Sequence, residues 1–218
     1  MIGSGSSNGI DVDYFKLTPQ LSADAKELRN KYNIAESDFV YIFAGRLVKD
    51  KGIEEITEAF SNIHVAHKNS WLLLVGPTEP ELDPLSATCI ETIKTNSKII
   101  HAGYQNDVRP YLAISNALVF PSYREGFPNV PMQAGCFDLP CIVTDINGCN
   151  EIIEHETNGL IIPVKDKVKL ENAMKRILED QPLYQKLKKN AREMIVSRYE
   201  QTRFWSLLLK EYEDQLAR

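Results

Sequence analysis

Six short apolar runs mark the chain, near residues 40–44, 71–75, 99–102, 117–120, 141–144 and 160–162. None alternates apolar with polar positions. A strand with one wet face alternates, whereas an unbroken apolar run of this length predicts a strand covered on both faces, as in a parallel sheet. Between the runs lie stretches of helical spacing, near 53–67, 84–95, 107–115, 130–137 and 151–154, with another ahead of them near 23–32. This βα alternation predicts a doubly wound, Rossmann-like α/β fold. It has a parallel sheet of about six strands, helices on both faces and right-handed crossovers. From Asp166 onward the chain is charged and helical with no strand, a helical C-terminal tail. No internal repeat or low-complexity tract appears.

Length and composition narrow the function classes. A chain of 218 residues with 43% hydrophobic content suits one large domain with appendages. Residues 3–9 are rich in Gly and Ser and predict a linker, so residues 1–12 are expected to join domains and 13–218 to form the folded unit. These glycines superficially match a dinucleotide loop, but no strand precedes them. A net charge of −5, with no interleaving of aromatic and basic residues, argues against nucleic acid as a partner. No secretory signal or membrane span is expected. The four cysteines, Cys89, Cys136, Cys141 and Cys149, lack metal-site spacing and suit reduced thiols in a cytosolic protein. His64 and His67 share a helix but have no third ligand nearby, so no metal site is expected.

In an open parallel sheet, ligands bind outside the carboxyl ends of the strands. The first strand runs into Gly45-Arg46-Leu47-Val48-Lys49-Asp50-Lys51-Gly52. Arg46 and Lys51 suit a diphosphate clamp, because Arg grips oxyanions bidentately and Lys adds a point charge; a solvated charged loop reads the same way. Gly76-Pro77-Thr78 and Gly103-Tyr104-Gln105 follow the next two strands, where glycine permits a ligand to approach the backbone or merely makes a turn. Asp145 and Gly148 after the fifth strand form a turn or a binding wall. The fourth junction, Pro121-Ser122-Tyr123-Arg124-Glu125-Gly126-Phe127-Pro128-Asn129-Val130-Pro131-Met132-Gln133, is the most informative. Asn129 suits an N-cap and Pro131 the first helical turn. Gln133 falls on the same helix face as Asn129, one turn in. The backbone N–H groups at such a helix start suit an anion. Glu125 stands where it can read a neutral polar group beside that anion, which makes a sugar phosphate the ligand to test. A surface carboxylate and a solvated glutamine are the competing reading. No close pair of carboxylates suits general acid–base work.

These segments resemble the retaining glycosyltransferases of family 4, of the two-domain GT-B architecture. The likeness runs through Ser6-Ser7-Asn8-Gly9-Ile10-Asp11, Gly45-Arg46-Leu47 with Lys51-Gly52, and Pro121-Ser122 with Glu125 to Val130. It continues in Leu139-Pro140, Thr144-Asp145, Gly148, Glu151-Ile152-Ile153 and Asn158-Gly159-Leu160. Within the family it is most similar to enzymes of capsular and exopolysaccharide assembly. The resemblance implies the C-terminal, nucleotide-sugar-binding domain, with the N-terminal acceptor domain absent from the chain. By it, Arg46 and Lys51 hold the donor diphosphate and Glu125, the first acid of the Glu-x7-Glu motif, lies by the donor sugar. Gly126, Phe127, Pro128, Asn129 and Val130 contact sugar and distal phosphate through the backbone. Gly45 belongs to the clamp loop, and Gly103 and Tyr104 lie near the base.

Two departures stand out. Gln133 occupies the place of the second acid, which binds the ribose hydroxyls; it keeps hydrogen-bonding capacity but lacks the charge that strengthens it. Pro131 removes one N–H from the first turn.

The expected function is transfer of a sugar from a nucleotide-diphosphate sugar, UDP-linked, to a glycan or lipid-linked acceptor, without a metal. The alternatives are a non-catalytic nucleotide-binding module and a GT-B-fold nucleotide-sugar epimerase. The isolated domain is expected to bind nucleotide but transfer little. The resemblance places the full-length enzyme in the cytoplasm, peripheral at the inner face of a bacterial membrane. Phe204, Trp205, Leu207 and Leu208 predict an apolar face on a late helix that favours self-association.

Overall fold

The computed structural model describes residues 9–216. Six strands form one sheet: β1 (Phe39–Ala44), β2 (Ser70–Val75), β3 (Ile99–Gly103), β4 (Ala117–Phe120), β5 (Cys141–Thr144) and β6 (Gly159–Ile162). All neighbouring pairs are parallel, in the order β3-β2-β1-β4-β5-β6. This is the doubly wound, Rossmann-like arrangement that the apolar runs predict. Every residue of β2, β4 and β5 is buried, so the absence of alternation does report a sheet covered on both sides.

The helices are α1 (Pro19–Lys31), α2 (Ile53–Ala66), α3 (Ala87–Thr95), α4 (Arg109–Ala113), α5 (Asn129–Gly135), α6 (Cys149–Ile152), α7 (Lys167–Glu179), α8 (Gln181–Tyr199) and α9 (Gln201–Leu216). Helix α2 packs on α3 and α7, α1 on α4, and α5 on α8. Val40, Ile42, Leu72, Leu73, Leu118, Val119 and Ile142 are fully buried between these layers. Full burial of one such side chain is worth about 1.5–3 kcal/mol relative to exposure.

Several boundaries differ from the pattern-based expectation for local chemical reasons. Helix α1 starts earlier because the Thr18 hydroxyl accepts from Leu21 N–H and Pro19 occupies the first turn. Helix α3 starts later, at Ala87, because Ser86 caps it. The Asp107 carboxylate accepts from Arg109 N–H, which turns the chain and delays α4. The tail is three helices: α7 ends at Asp180, whose side chain then caps α8 by accepting from Leu183 N–H. A 3-10 turn at Lys49–Lys51 was not foreseen.

Of the expected linker, residues 1–8 lie outside the described residues. Beyond them, Ile10 is buried and bridges Glu200, donating to Tyr199 O at 2.7 Å and accepting from Gln201 N at 3.0 Å. Among the described residues no helix is long and apolar enough to cross a membrane, and the four cysteines are free and buried.

Candidate functional site

Strand order reverses between β1 and β4, and a doubly wound sheet opens a crevice outside the carboxyl ends of two such strands. The stacked rings of Phe43 and Phe120, 5.9 Å apart, join the two strands near those ends. The loops that leave them are residues 45–52 and 121–128, the two most informative segments of the sequence.

Gly52 closes the first loop in the left-handed conformation, φ 71°, before α2 begins. A Cβ there would lie 2.5 Å from Pro121 O, so the loop approaches the exit of β4 at a distance only glycine allows. This approach sets Lys51 beside Glu125. Their Nζ and Oε1 atoms are 2.6 Å apart, and the side chains are 13% and 16% exposed. A pair this shielded interacts more strongly than a surface pair.

The fully buried Ser122 donates its hydroxyl to the same Oε1 at 2.7 Å, and Lys51 Nζ reaches Ser122 Oγ at 3.4 Å. Ser122 is in turn held by its carbonyl, which accepts from the Thr144 hydroxyl. Glu125 is therefore fixed through one oxygen, while Oε2 has no partner among the described residues. Behind the pair is Cys149, whose thiol is pushed up to about 12 by burial first and by the Glu125 charge second.

Arg46 lies on the same loop, more exposed, and donates to Glu79 Oε2 at 2.8 Å. Glu79, and more weakly Asp50 and Glu125, raise the Arg46 pKa, so its cation is secure. Both clamp candidates thus stand on carboxylates, with donors in reserve: an ammonium has three N–H groups and a guanidinium five. The β2–α3 loop braces this arrangement. Pro77 O accepts from Leu47 N at 2.8 Å, and Asp83 Oδ2 accepts from Asp50 N at 2.6 Å.

The second loop continues through Gly126 to Val130. Among the described residues the N–H groups of Gly126, Phe127, Asn129 and Val130 donate to no acceptor. Asn129 is not the N-cap the sequence suggested. Pro128, extended at φ −75° and ψ 130°, takes that position and Asn129 is the first helical residue. Helix α5 is only seven residues long, so its dipole is small and the free N–H groups are what it offers an anion. The Phe127 ring packs edge-on against Tyr199 at 5.6 Å, so its side chain anchors the loop. Gly148, at φ 78°, comes against the other side of the same loop: a Cβ would lie 2.3 Å from Gly126 O.

The remaining candidates are more dispersed. Gln133 is half-buried on α5 and makes no side-chain hydrogen bond among the described residues. Gly103, at φ 68°, and the exposed Tyr104 end the edge strand β3, two strands from β1 and so about 10 Å away. A hydroxyl-lined cavity between α2, α3 and the start of α7 does not reach the Lys51–Glu125 pair, and its charges are already engaged, Lys167 with Glu58 and Glu54 with Ser86 N–H, as is the Asn62 amide with Glu171. In the sequence Ser122 stands in the matching Pro121-Ser122 segment but has no role of its own, and neither Glu79 nor Asp83 is singled out. All three stand in loops after strands β4 and β2, and position at a strand's carboxyl end was the signal that could have flagged them.

A family model described as glycosyl transferases group 1 matches residues 24–194. The capsular polysaccharide biosynthesis glycosyltransferase CapM of Staphylococcus aureus is 28% identical over 97% of this chain and 54% of its own length. The chain spans about half the length of the curated relatives it matches. The structure of Anabaena HepE in complex with UDP and glucose superposes with a TM-score of 0.82 at 20% identity, over 96% of this chain and 56% of that one. The separately solved C-terminal domain of a group 1 protein, LpcC of Francisella tularensis, matches with a TM-score of 0.75 at 21% identity, over 88% of this chain and 99% of that one.

Proposed function

Since the chain belongs to the glycosyl transferases group 1 family, we propose that it is the donor-binding half of a retaining glycosyltransferase of polysaccharide assembly. The donor is a nucleoside-diphosphate sugar, with UDP favoured by the likeness to a UDP complex. The observation that carries this reading is the shielded Lys51–Glu125 pair at the point where strand order reverses, with one carboxylate oxygen left open. The S. aureus likeness and the C-terminal domain of similar extent support the choice of polysaccharide assembly and of the donor half.

In transfer, the bond between the anomeric carbon and the diphosphate oxygen breaks and the diphosphate leaves with the electron pair. The acceptor oxygen bonds to that carbon on the same face and passes its proton to the departing diphosphate oxygen. Arg46 and Lys51 stabilise the charge gathering on the diphosphate, an electrostatic role. The N–H groups of Gly126, Phe127, Asn129 and Val130 bind the distal phosphate. Glu125 Oε2 accepts from a sugar hydroxyl and orients the ring. Gln133 hydrogen-bonds the ribose, and Gly103 and Tyr104 lie where the base extends. The two cations supply the neutralisation a metal ion otherwise brings, so the proposal includes metal independence. The glycan or lipid-linked acceptor binds through an N-terminal domain, and the full-length protein works in the cytoplasm against the inner face of the membrane.

Thermal shift and calorimetry with UDP and a panel of UDP-sugars, each with and without chelator, test this, because a ligand of the folded state stabilises by mass action. Stabilisation by UDP that survives chelation is expected, with little or no transfer by this chain alone. No response to any nucleoside diphosphate or its sugar overturns the reading; loss on chelation overturns metal independence. Fractionation of full-length protein checks location, with an integral-membrane pool as the contrary result.

A second reading, a nucleotide-binding module without catalysis, is favoured by one observation: Gln133 is uncharged where the family pattern has an acid. Sugar transfer by the full-length protein decides against it.

Helix α9 buries Phe204 but exposes Trp205, Leu209 and Tyr212 at 55–59%. We infer self-association of this chain through that face. Sedimentation should show a concentration-dependent dimer that W205E abolishes; a strict monomer at high concentration is the contrary outcome.

A further inference from the structure

Glu55 is a carboxylate in the first turn of α2, one turn beyond Lys51, and it is only 7% exposed. Its Oε1 accepts from the Tyr123 hydroxyl at 2.6 Å, while Oε2 is buried with no hydrogen-bond partner. Burying a carboxylate on one hydrogen bond is unfavourable for folding, and an apolar residue would suit this position better. The cost points to a role other than stability.

Tyr123 is fastened at both ends. Its N–H donates to Asp50 O at 2.8 Å, in the turn that carries Lys51, and its hydroxyl donates to Glu55. Asp50 is itself held by Asp83. Burial, and then the Glu55 carboxylate, raise the pKa of the phenol, so it stays protonated and remains a donor. The Lys165 ammonium covers the ring at 4.7 Å from its centroid. On one side of Tyr123 in the chain stands Ser122, which binds Glu125 Oε1, and a short way along the other stands Glu125 itself. The loop bearing Glu125 is thus tied to the helix that begins beside Lys51.

We propose that Glu55 is a positioning residue: through the Tyr123 hydroxyl it fixes the 122–125 loop so that Glu125 Oε2 is presented to the donor's sugar. Glu55 touches no donor atom. The inference rests on the donor reading above, and it separates sugar recognition from nucleotide recognition, which the neighbouring cations carry.

Calorimetry on the chain with UDP and with the tightest of a panel of UDP-sugars measures the sugar's own contribution as the ratio of the two Kd values. In E55L and in the double variant E55L/Y123F this ratio should fall about tenfold, the scale of a small misplacement at a site, with UDP affinity within about twofold of wild type. The double variant replaces both partners of the bond by apolar groups, which is close to neutral for folding. E55Q, whose amide oxygen still accepts from Tyr123, should restore the ratio. An unchanged ratio in the double variant overturns the proposal. So does equal loss for UDP and UDP-sugar, a double variant that fails to fold, or E55Q behaving as E55L. A wild-type chain that binds neither ligand overturns the donor reading itself.

Discussion

Lys51 Nζ and Glu125 Oε1 meet at 2.6 Å although 74 positions separate them in the chain. One comes from the loop after β1 and the other from the loop after β4, and the parallel pairing of those strands sets their loops side by side. The contact explains why a cation and an acid, each assigned a separate part in donor binding, sit inside the protein where neither could stand alone.

In Lys51→Met, Glu125 keeps only the Ser122 hydroxyl at Oε1. The variant should lose about 2 kcal/mol of stability in urea unfolding, below the full penalty for breaking a buried pair because both side chains keep some solvent, and it should lose most UDP affinity. A double variant K51M/E125Q should recover stability but not binding. Recovery of both would mean the pair is structural.

Gly52→Ala tests the close approach of the two loops. Alanine at φ 71° costs about 1 kcal/mol in the backbone alone. Its Cβ also meets Pro121 O at 2.5 Å, so the loop must retreat and take Lys51 with it. Both thermal stability and UDP affinity should fall. Intact affinity would show that Lys51 does not need this placement.

Gln133→Glu restores charge at the position where the family pattern has an acid. A carboxylate accepts hydrogen bonds from ribose hydroxyls about twice as strongly as a neutral amide, so UDP should bind roughly three- to tenfold tighter. Unchanged or weaker binding by calorimetry would refute the ribose assignment.

Glu54 yields a pH dependence. Its Oε1 accepts from Ser86 N–H at 2.8 Å, and that hydrogen bond, opposed by burial, lowers its pKa below the ordinary value of 4.5. The unfolded chain therefore binds the proton more readily. The contribution of Glu54 is fully present above pH 4.5 and is lost as pH falls through the lowered folded value. Wild type should exceed E54Q in stability near neutrality, with the gap closing as pH falls below 4.5 through the lowered folded value and both side chains become neutral. A gap independent of pH, by denaturant titration at several pH values, would contradict the assignment.

Much of this was legible in the chain itself. Unbroken apolar runs place all six strands to within a residue or two, because burial on both faces demands that composition whatever the neighbours. The strand-end rule marks Arg46, Lys51 and Glu125 for the same reason: it depends on topology, and βα alternation reveals topology. Helix starts were less legible. Asn129 looks like a cap, but Pro128 is already extended and takes the position.

Partnership was decided only in three dimensions. Nothing local tells Glu125 to choose Lys51, Arg46 to choose Glu79, or Tyr123 to reach Glu55. Each choice depends on how closely two loops approach: Gly52 lets the first loop close on Pro121 O, and Gly76 lets the β2 exit close on Gly45 O, contacts with backbone far along the chain. The sequence by itself determined the α/β class, the strands and which loops leave their carboxyl ends, since these follow from local polarity. The tertiary structure decided which charges neutralise one another and which oxygen stays open, since those follow from distances of an ångström or less.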